Sequence, residues 1–157
     1  MSQVNTEGKF YEHFLSSAEF PYTEEEKLCI TETVIKLRDE ETRGSKPGML
    51  LGKIQSGKTK TFMAIMGLAF DNDYDIAVVL TKGTKALAKQ TQLRIKSDFM
   101  PFISDDDLEI FDIMNMPERF TRWELKKKIV LIVKKQKDNL ARLLHSMLIK
   151  STSLKIR

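Results

Sequence analysis

The chain has 157 residues, of which 41% are hydrophobic and 31% charged, and these fractions are typical of one compact folded domain. They exclude a disordered chain, and no apolar run approaches the roughly 20 residues of a membrane-spanning helix. The net charge of +4 suits an anionic partner, and the single cysteine, Cys29, favours a reduced, cytoplasmic setting.

The first predicted element is a helix that begins at Thr23. We interpret residues 1–22, which are rich in aromatic side chains, as an irregular N-terminal extension. Thr23 and Glu26 have the spacing of a capping box, in which a hydroxyl and a carboxylate accept hydrogen bonds from free amides at a helix start. This pattern predicts a helix from residue 23 to about residue 41, and the glycines and proline of residues 43–48 then predict a loop.

The rest of the chain alternates between predicted strands and helices. Short apolar runs predict strands at residues 49–51, 75–80, 108–113 and 129–133. Helical spacing of apolar residues predicts a helix with Phe62, Ile65, Met66 and Ala69 on one face, another over residues 84–96, and a closing helix with Leu140, Leu143, Leu144, Met147 and Leu148. Such alternation predicts an α/β domain with a mostly parallel sheet in three layers over residues 23–149, followed by a basic tail at residues 150–157.

A glycine-rich loop at residues 52–59 carries the most specific motif. It reads G-K-I-Q-S-G-K-T and satisfies the P-loop pattern G-x-x-x-x-G-K-[S/T]. Glycines let the backbone present its amides to phosphate oxygens, Lys58 reaches the β- and γ-phosphates, and the Thr59 hydroxyl is a ligand for Mg²⁺. The candidate nucleotide-binding residues are Gly52, Gln55, Ser56, Gly57, Lys58 and Thr59. The sequence therefore predicts a site for a nucleoside triphosphate with Mg²⁺.

Residues 81–90, T-K-G-T-K-A-L-A-K-Q, follow a predicted strand and open a helix. This block resembles the segment after the P-loop in superfamily-two helicases, and the Q-S-G-K-T form of the loop resembles restriction-enzyme helicase subunits and the ATPases of Z1-type endonucleases. The resemblance covers residues 20–149 approximately. It implies a RecA-like first motor lobe that binds ATP, and nuclease or restriction subunits as partners. It also implies contacts with nucleic acid, DNA above all, from Thr81, Thr84, Lys85 and Gln90.

The chain departs from that family in its hydrolytic residues. No D-E-x-x box follows the P-loop. Asp112 comes closest to the aspartate of such a box, but it is followed by Ile113 where the box has a glutamate. We interpret Asp112 as the polar exit of a strand. A second lobe is also absent, so we expect an incomplete motor domain, part of a longer protein, whose hydrolysis needs other parts. Two alternatives stay open: a small P-loop kinase, with Arg119 and Arg122 as its lid arginines, and a non-hydrolysing nucleotide-binding regulatory module.

Three other groups of residues have a structural and a functional interpretation. For Phe20 and Tyr22 we favour core packing over stacking on adenine. Lys126–Lys128 and Lys134–Lys135 bracket a predicted strand, and we favour solvated strand ends over a patch that tracks phosphates. Trp123 is expected to be a partial core anchor.

Overall fold

A computed structural model describes residues 3–40, 58–81, 84–117, 121 and 123–143, with the backbone alone at Lys58, Lys85, Leu87, Ala88 and Leu125. The predicted loop at residues 43–48, the strand at residues 49–51, the end of the closing helix and the basic tail lie outside these residues. The chain divides into two compact units, Met1–Tyr74 and Asp75–Arg157. Across the described ranges, no helix has the length and apolar character needed to cross a membrane.

In its described part, the first unit contains the helices α1 (Lys9–Ser17), α2 (Glu24–Asp39) and α3 (Lys58–Phe70), and both α1 and α2 pack against α3. The predicted capping box of α2 is confirmed. The Glu26 amide donates to Thr23 Oγ1 at 3.2 Å, and the Thr23 amide donates to Glu26 Oε2 at 2.9 Å. Ile30 and Val34, one turn apart on α2, are fully buried.

Helix α1 shows that the interpretation of residues 1–22 as irregular is wrong. Its N-cap residue, Gly8, has no side chain to accept hydrogen bonds from the first turn. Asp71 does so instead, because its carboxylate accepts from the amides of Phe10 at 3.3 Å and Tyr11 at 2.8 Å. A β-carbon on Gly8 would collide with this carboxylate, so the close approach requires glycine. The cap of α1 therefore comes from a residue distant in the sequence.

The predicted apolar face of α3 is only partly correct. Of its four members Met66 alone is buried, whereas Phe62, Ile65 and Ala69 are half-buried. The other buried residues of this helix are Met63, Ala64, Gly67, Leu68 and Phe70. Two neighbouring helices cover α3, and α1 approaches so closely that a β-carbon on Gly67 would lie 2.8 Å from the Phe14 ring. Contact on more than one side widens the buried surface beyond a single stripe.

The second unit is an α/β structure, and its described strands form a three-stranded parallel sheet in the order β1-β3-β2. The strands are β1 (Ile76–Thr81), β2 (Leu108–Asp112) and β3 (Lys128–Lys134), which confirms three of the predicted strands and their parallel pairing. All residues of the central segment 129–133 are buried, as expected for a parallel strand covered on both faces. β1 lies at one edge of the described sheet, and its Val78 and Leu80 are exposed.

Helices cover this sheet. Helix α4 (Lys85–Asp98) packs on β1 and β3, and α5 (Met100–Ser104) packs on β2. A closing helix, α6, is described over residues 137–143. Its Leu140 and Leu143 pack on a core cluster that includes Leu131 and Val133, as the predicted spacing requires.

A short 3-10 helix (Glu124–Lys126) precedes β3, and the expectation that neighbouring Trp123 anchors the core is wrong. Trp123 is 62% exposed, and its indole nitrogen donates to Asp106 Oδ2 at 3.0 Å. Lys127 also binds Asp106, and this hydrogen bond, with the one from Trp123, lowers the pKa of Asp106. Lys128 pairs with Asp75 at 2.8 Å. Two of the three lysines at the start of β3, Lys127 and Lys128, thus have carboxylate partners, which favours the structural interpretation of this group.

Candidate functional site

The first turn of α3 is the described part of the candidate P-loop site. Lys58 and Thr59 are helical, as the motif expects, and Thr59 is half-buried. The other candidate residues, Gly52, Gln55, Ser56 and Gly57, lie outside the described residues, as does the Lys58 side chain.

A short upstream segment holds this first turn in place. The Lys60 ammonium donates to Glu26 Oε2 at 3.1 Å and to the Pro21 carbonyl at 3.3 Å, and it lies 4.1 Å from the centre of the Tyr22 ring. In return, the Tyr22 hydroxyl donates to the Lys60 carbonyl at 3.1 Å. Core packing of Tyr22 is confirmed, because this residue is buried. For Phe20, which is 71% exposed, it is wrong.

Glu26 joins the capping box of α2 to the first turn of α3. The hydrogen bond from the Thr23 amide, followed by the smaller contribution of Lys60, lowers the pKa of Glu26 below its usual value despite partial desolvation. Its ionised form therefore stabilises the fold above the pKa of the unfolded chain, and this contribution is lost as the pH falls through the folded pKa.

We expect Glu26→Gln to lower the free energy of unfolding by about 0.5–1 kcal/mol at neutral pH, since the variant keeps an acceptor but loses the charge. The difference between the two proteins should shrink at an acidic pH, at which the carboxylate of Glu26 in the parent becomes protonated. Urea unfolding at both pH values measures this. Glu25→Gln is the matched control, because Glu25 is exposed in the same first turn. Equal effects of both substitutions at each pH would contradict the assigned role.

The predicted strand-to-helix block lies at the carboxyl end of β1. Thr81 is the last residue of the strand, Thr84 is exposed, α4 begins at Lys85, and Gln90 is exposed on that helix. The local structure predicted for residues 81–90 is therefore confirmed at its strand and its helix, and the role of these residues in nucleic-acid binding stays a prediction. The Lys85 side chain is outside the described residues.

Among the described residues, Thr81 combines burial with a hydroxyl group that has no partner. The residue is 7% exposed, and its Oγ1 has no hydrogen-bond partner within the described part of the chain. Its carbonyl accepts from the Lys135 amide at 2.9 Å, so the backbone is fixed beside the end of β3. An unsatisfied buried hydroxyl costs about 1–3 kcal/mol, which makes Thr81 a candidate to bond with a ligand.

The carboxyl ends of β2 and β3 open into a cavity of about 590 Å³. Asp112 and Lys134, the last residues of these strands, line it together with Lys89 of α4 and Arg142 of α6. One oxygen of Asp112 accepts from the Met114 amide at 2.9 Å, so this carboxylate closes a tight turn after the strand. This agrees with the interpretation of Asp112 as a polar strand exit.

No family model, curated protein or solved structure matches this chain. The case for its function therefore depends on its own residues. Within the ranges that the structure describes, no group of three or more His, Cys, Asp and Glu side chains is arranged to hold a metal ion.

Two features of these sites were not predicted from the sequence. In the anchor formed by Tyr22, Glu26 and Lys60, Lys60 lies more than 30 positions from both of its partners. The aromatic residue beside the capping box was a partial signal of this contact. The cavity joins α4, the end of β2 and α6. Its only local signals in the sequence were Lys134, directly after a predicted strand, and Arg142, on the predicted helix that follows.

Proposed function

We propose that this chain binds a nucleoside triphosphate, ATP in particular, through the P-loop at residues 52–59. The observation that carries the proposal is the complete G-K-I-Q-S-G-K-T motif together with helix α3, which the structure describes from Lys58 onward. A chance match in an ordinary glycine turn has no need of a helix at that position. The anchored first turn of α3 adds support, because a phosphate site needs a fixed helix start.

In this proposal each residue has a definite task. The glycine amides and the helix start receive the phosphate oxygens, and Lys58 neutralises the β- and γ-phosphates. Thr59, in the first turn of α3, supplies its hydroxyl to Mg²⁺, which shields the phosphate charge when it is bound.

We propose further that nucleotide binding serves a helicase-like DNA translocase or a restriction or defence ATPase, to which this chain contributes a nucleotide-binding part. The support is the block at residues 81–90, where a strand ends and α4 begins at the carboxyl edge of a parallel sheet. Ligands of α/β sheets bind at this edge, and the first turn of a helix suits a backbone phosphate. The buried Thr81 hydroxyl is available for such a contact.

A non-hydrolysing nucleotide-binding module is the second candidate. One observation favours it over a complete ATPase: the Asp112 carboxylate closes a local turn, and Ile113, which follows it, is buried in the core cluster. The position where a catalytic glutamate is expected is thus occupied by a core residue. Both candidates bind nucleotide, and they differ in turnover.

We expect the purified chain to bind ATP·Mg²⁺ with a Kd between roughly 10 µM and 1 mM and to release phosphate negligibly, since the carboxylates that activate water are missing. Isothermal titration calorimetry measures the binding, and a phosphate-release assay measures turnover. Removal of Mg²⁺ with EDTA should weaken binding. Absence of saturable ATP binding would refute the proposal, and steady hydrolysis would refute the expectation of an incomplete site.

The DNA component is checked separately by fluorescence anisotropy with labelled single- and double-stranded oligonucleotides at low salt. Binding should weaken as salt increases, because contacts to phosphates release counterions. No binding of either form at low salt would leave the chain a nucleotide-binding module without a nucleic-acid partner.

A further inference from the structure

The cavity at the carboxyl ends of β2 and β3 has the size and position of a ligand site. Its volume of about 590 Å³ falls within the range of roughly 300–1,000 Å³ typical of small-molecule sites. Its walls come from α4, from the turn after β2 and from the start of α6. It is a different feature from the P-loop, and its residues all belong to the second unit.

Three cations that line this cavity have no carboxylate partner in the part of the chain that the structure describes. Lys89, Lys134 and Arg142 take part in no ion pair within the described residues, whereas Lys127 and Lys128 of the same unit are both paired. The cavity also has carboxylates at Asp112 and Asp138, so its formal charge is +1, from three positive and two negative side chains. Unpaired lysine and arginine side chains at a concave site favour an anion, and the planar guanidinium suits a phosphate.

The remaining lining suits a nucleobase. Gln92 and Gln136 contribute amide groups, and so does Asn139, whose amide nitrogen donates to the Lys134 carbonyl at 3.3 Å. Amides and carboxylates are the groups that read the polar edges of bases. Met114 adds an exposed apolar surface, and its sulfur lies 3.6 Å from Arg142 Nη1, so the apolar and cationic parts adjoin.

We propose that this cavity binds one nucleoside phosphate unit. The phosphate is held by Lys89, Lys134 and Arg142, and the base lies against Met114 and the amide groups. The unit is either a free nucleoside monophosphate or one nucleotide of a single strand, since both present the same phosphate and base. The inference does not depend on ATP binding at the P-loop.

The test uses the full chain with Lys58→Ala in the background, so that the P-loop contributes as little as possible. The probes are AMP, followed by calorimetry, and a fluorescein-labelled 12-residue oligothymidylate, followed by anisotropy. We expect at least one probe to bind, and Lys134→Gln to weaken that binding by at least about tenfold, the effect of one lost charged contact. Adenosine, which lacks the phosphate, should bind much more weakly than AMP.

Lys135→Gln is the matched control, because Lys135 is the next residue, is exposed and does not line the cavity. It should change the affinity by less than about twofold, and the pair Lys89→Gln and Lys96→Gln on α4 repeats the comparison. Binding of AMP identifies a free nucleotide as the ligand, and binding of the oligonucleotide alone identifies a strand. Failure of both probes, or equal loss in Lys134→Gln and Lys135→Gln, would overturn the inference while leaving ATP binding by the parent chain unaffected.

Discussion

Replacing Lys58 with alanine is expected to weaken ATP·Mg²⁺ binding by at least about 30-fold, which corresponds to about 2 kcal/mol or more for a charged group lost from a phosphate site. The physical reason is that the β- and γ-phosphates then lose their principal protein cation, while the backbone amides remain. Calorimetric titration of the parent and the variant at the same Mg²⁺ concentration measures the difference. A variant that binds ATP as tightly as the parent would overturn the P-loop assignment.

Lys60→Ala is the control for this experiment, because it removes the same side chain two residues along the same helix. The Lys60 ammonium is directed to Glu26, the Pro21 carbonyl and the face of the Tyr22 ring. Its loss should therefore reduce stability, by about 1 kcal/mol for a half-buried pair, and change ATP affinity much less than Lys58→Ala does. Thermal unfolding of both variants separates the two effects. Equal losses of affinity would indicate that the fixed helix start, and not a phosphate contact, is what both lysines provide.

Features built from neighbouring residues were predictable from the sequence. The capping box of α2 needs only Thr23 and Glu26, and each strand of the sheet is a short apolar run. Both features could therefore be predicted from residues that are adjacent in the sequence. Parallel pairing followed from the alternation of these strands with helices. The P-loop is also a local motif, and its role stays a prediction because most of it lies outside the described residues.

Features that depend on distant partners were not predictable. Helix α1 is capped by Asp71, which is 60 residues from Tyr11, and no local sequence pattern indicates that contact. Trp123 looked like a core residue because tryptophan is large and apolar, yet its partner is Asp106 at the surface. Likewise, the sequence does not indicate that Lys127 has an ion-pair partner whereas Lys134 has none among the described residues, since such partners belong to other elements.

The same distinction applies to the two candidate sites. A P-loop can be found by sequence because backbone amides bind the phosphates, and the motif specifies the backbone. The cavity beside β3 uses side chains from three segments, and its chemistry depends on which of them lack partners. This explains why Lys134 was interpreted as a solvated strand end, although it lines a cavity with Lys89 and Arg142. The rule that ligands bind at the carboxyl ends of parallel strands was the only general indication of this cavity.

Leu131→Ala is expected to lower the free energy of unfolding by about 2–5 kcal/mol, the range for deletion of a fully buried leucine. Leu131 lies at the centre of β3, is 0% exposed, and pairs in register with Val78 of β1 and Phe111 of β2. A single domain has a free energy of unfolding of only about 5–15 kcal/mol, so the variant should lose a large part of its stability. Urea unfolding followed by circular dichroism measures the change.

Leu80→Ala is the matched control, because it makes the same substitution on the neighbouring strand at a residue that is 53% exposed. It leaves no enclosed cavity, and its cost should stay below about 1 kcal/mol, the span of strand propensities. If both variants lost equal stability, the Leu80 side chain would have to be covered in solution, contrary to its exposure in this structure. If Leu131→Ala cost little, β3 would not be the centre of the core, and the carboxyl edge on which the cavity depends would lose its support.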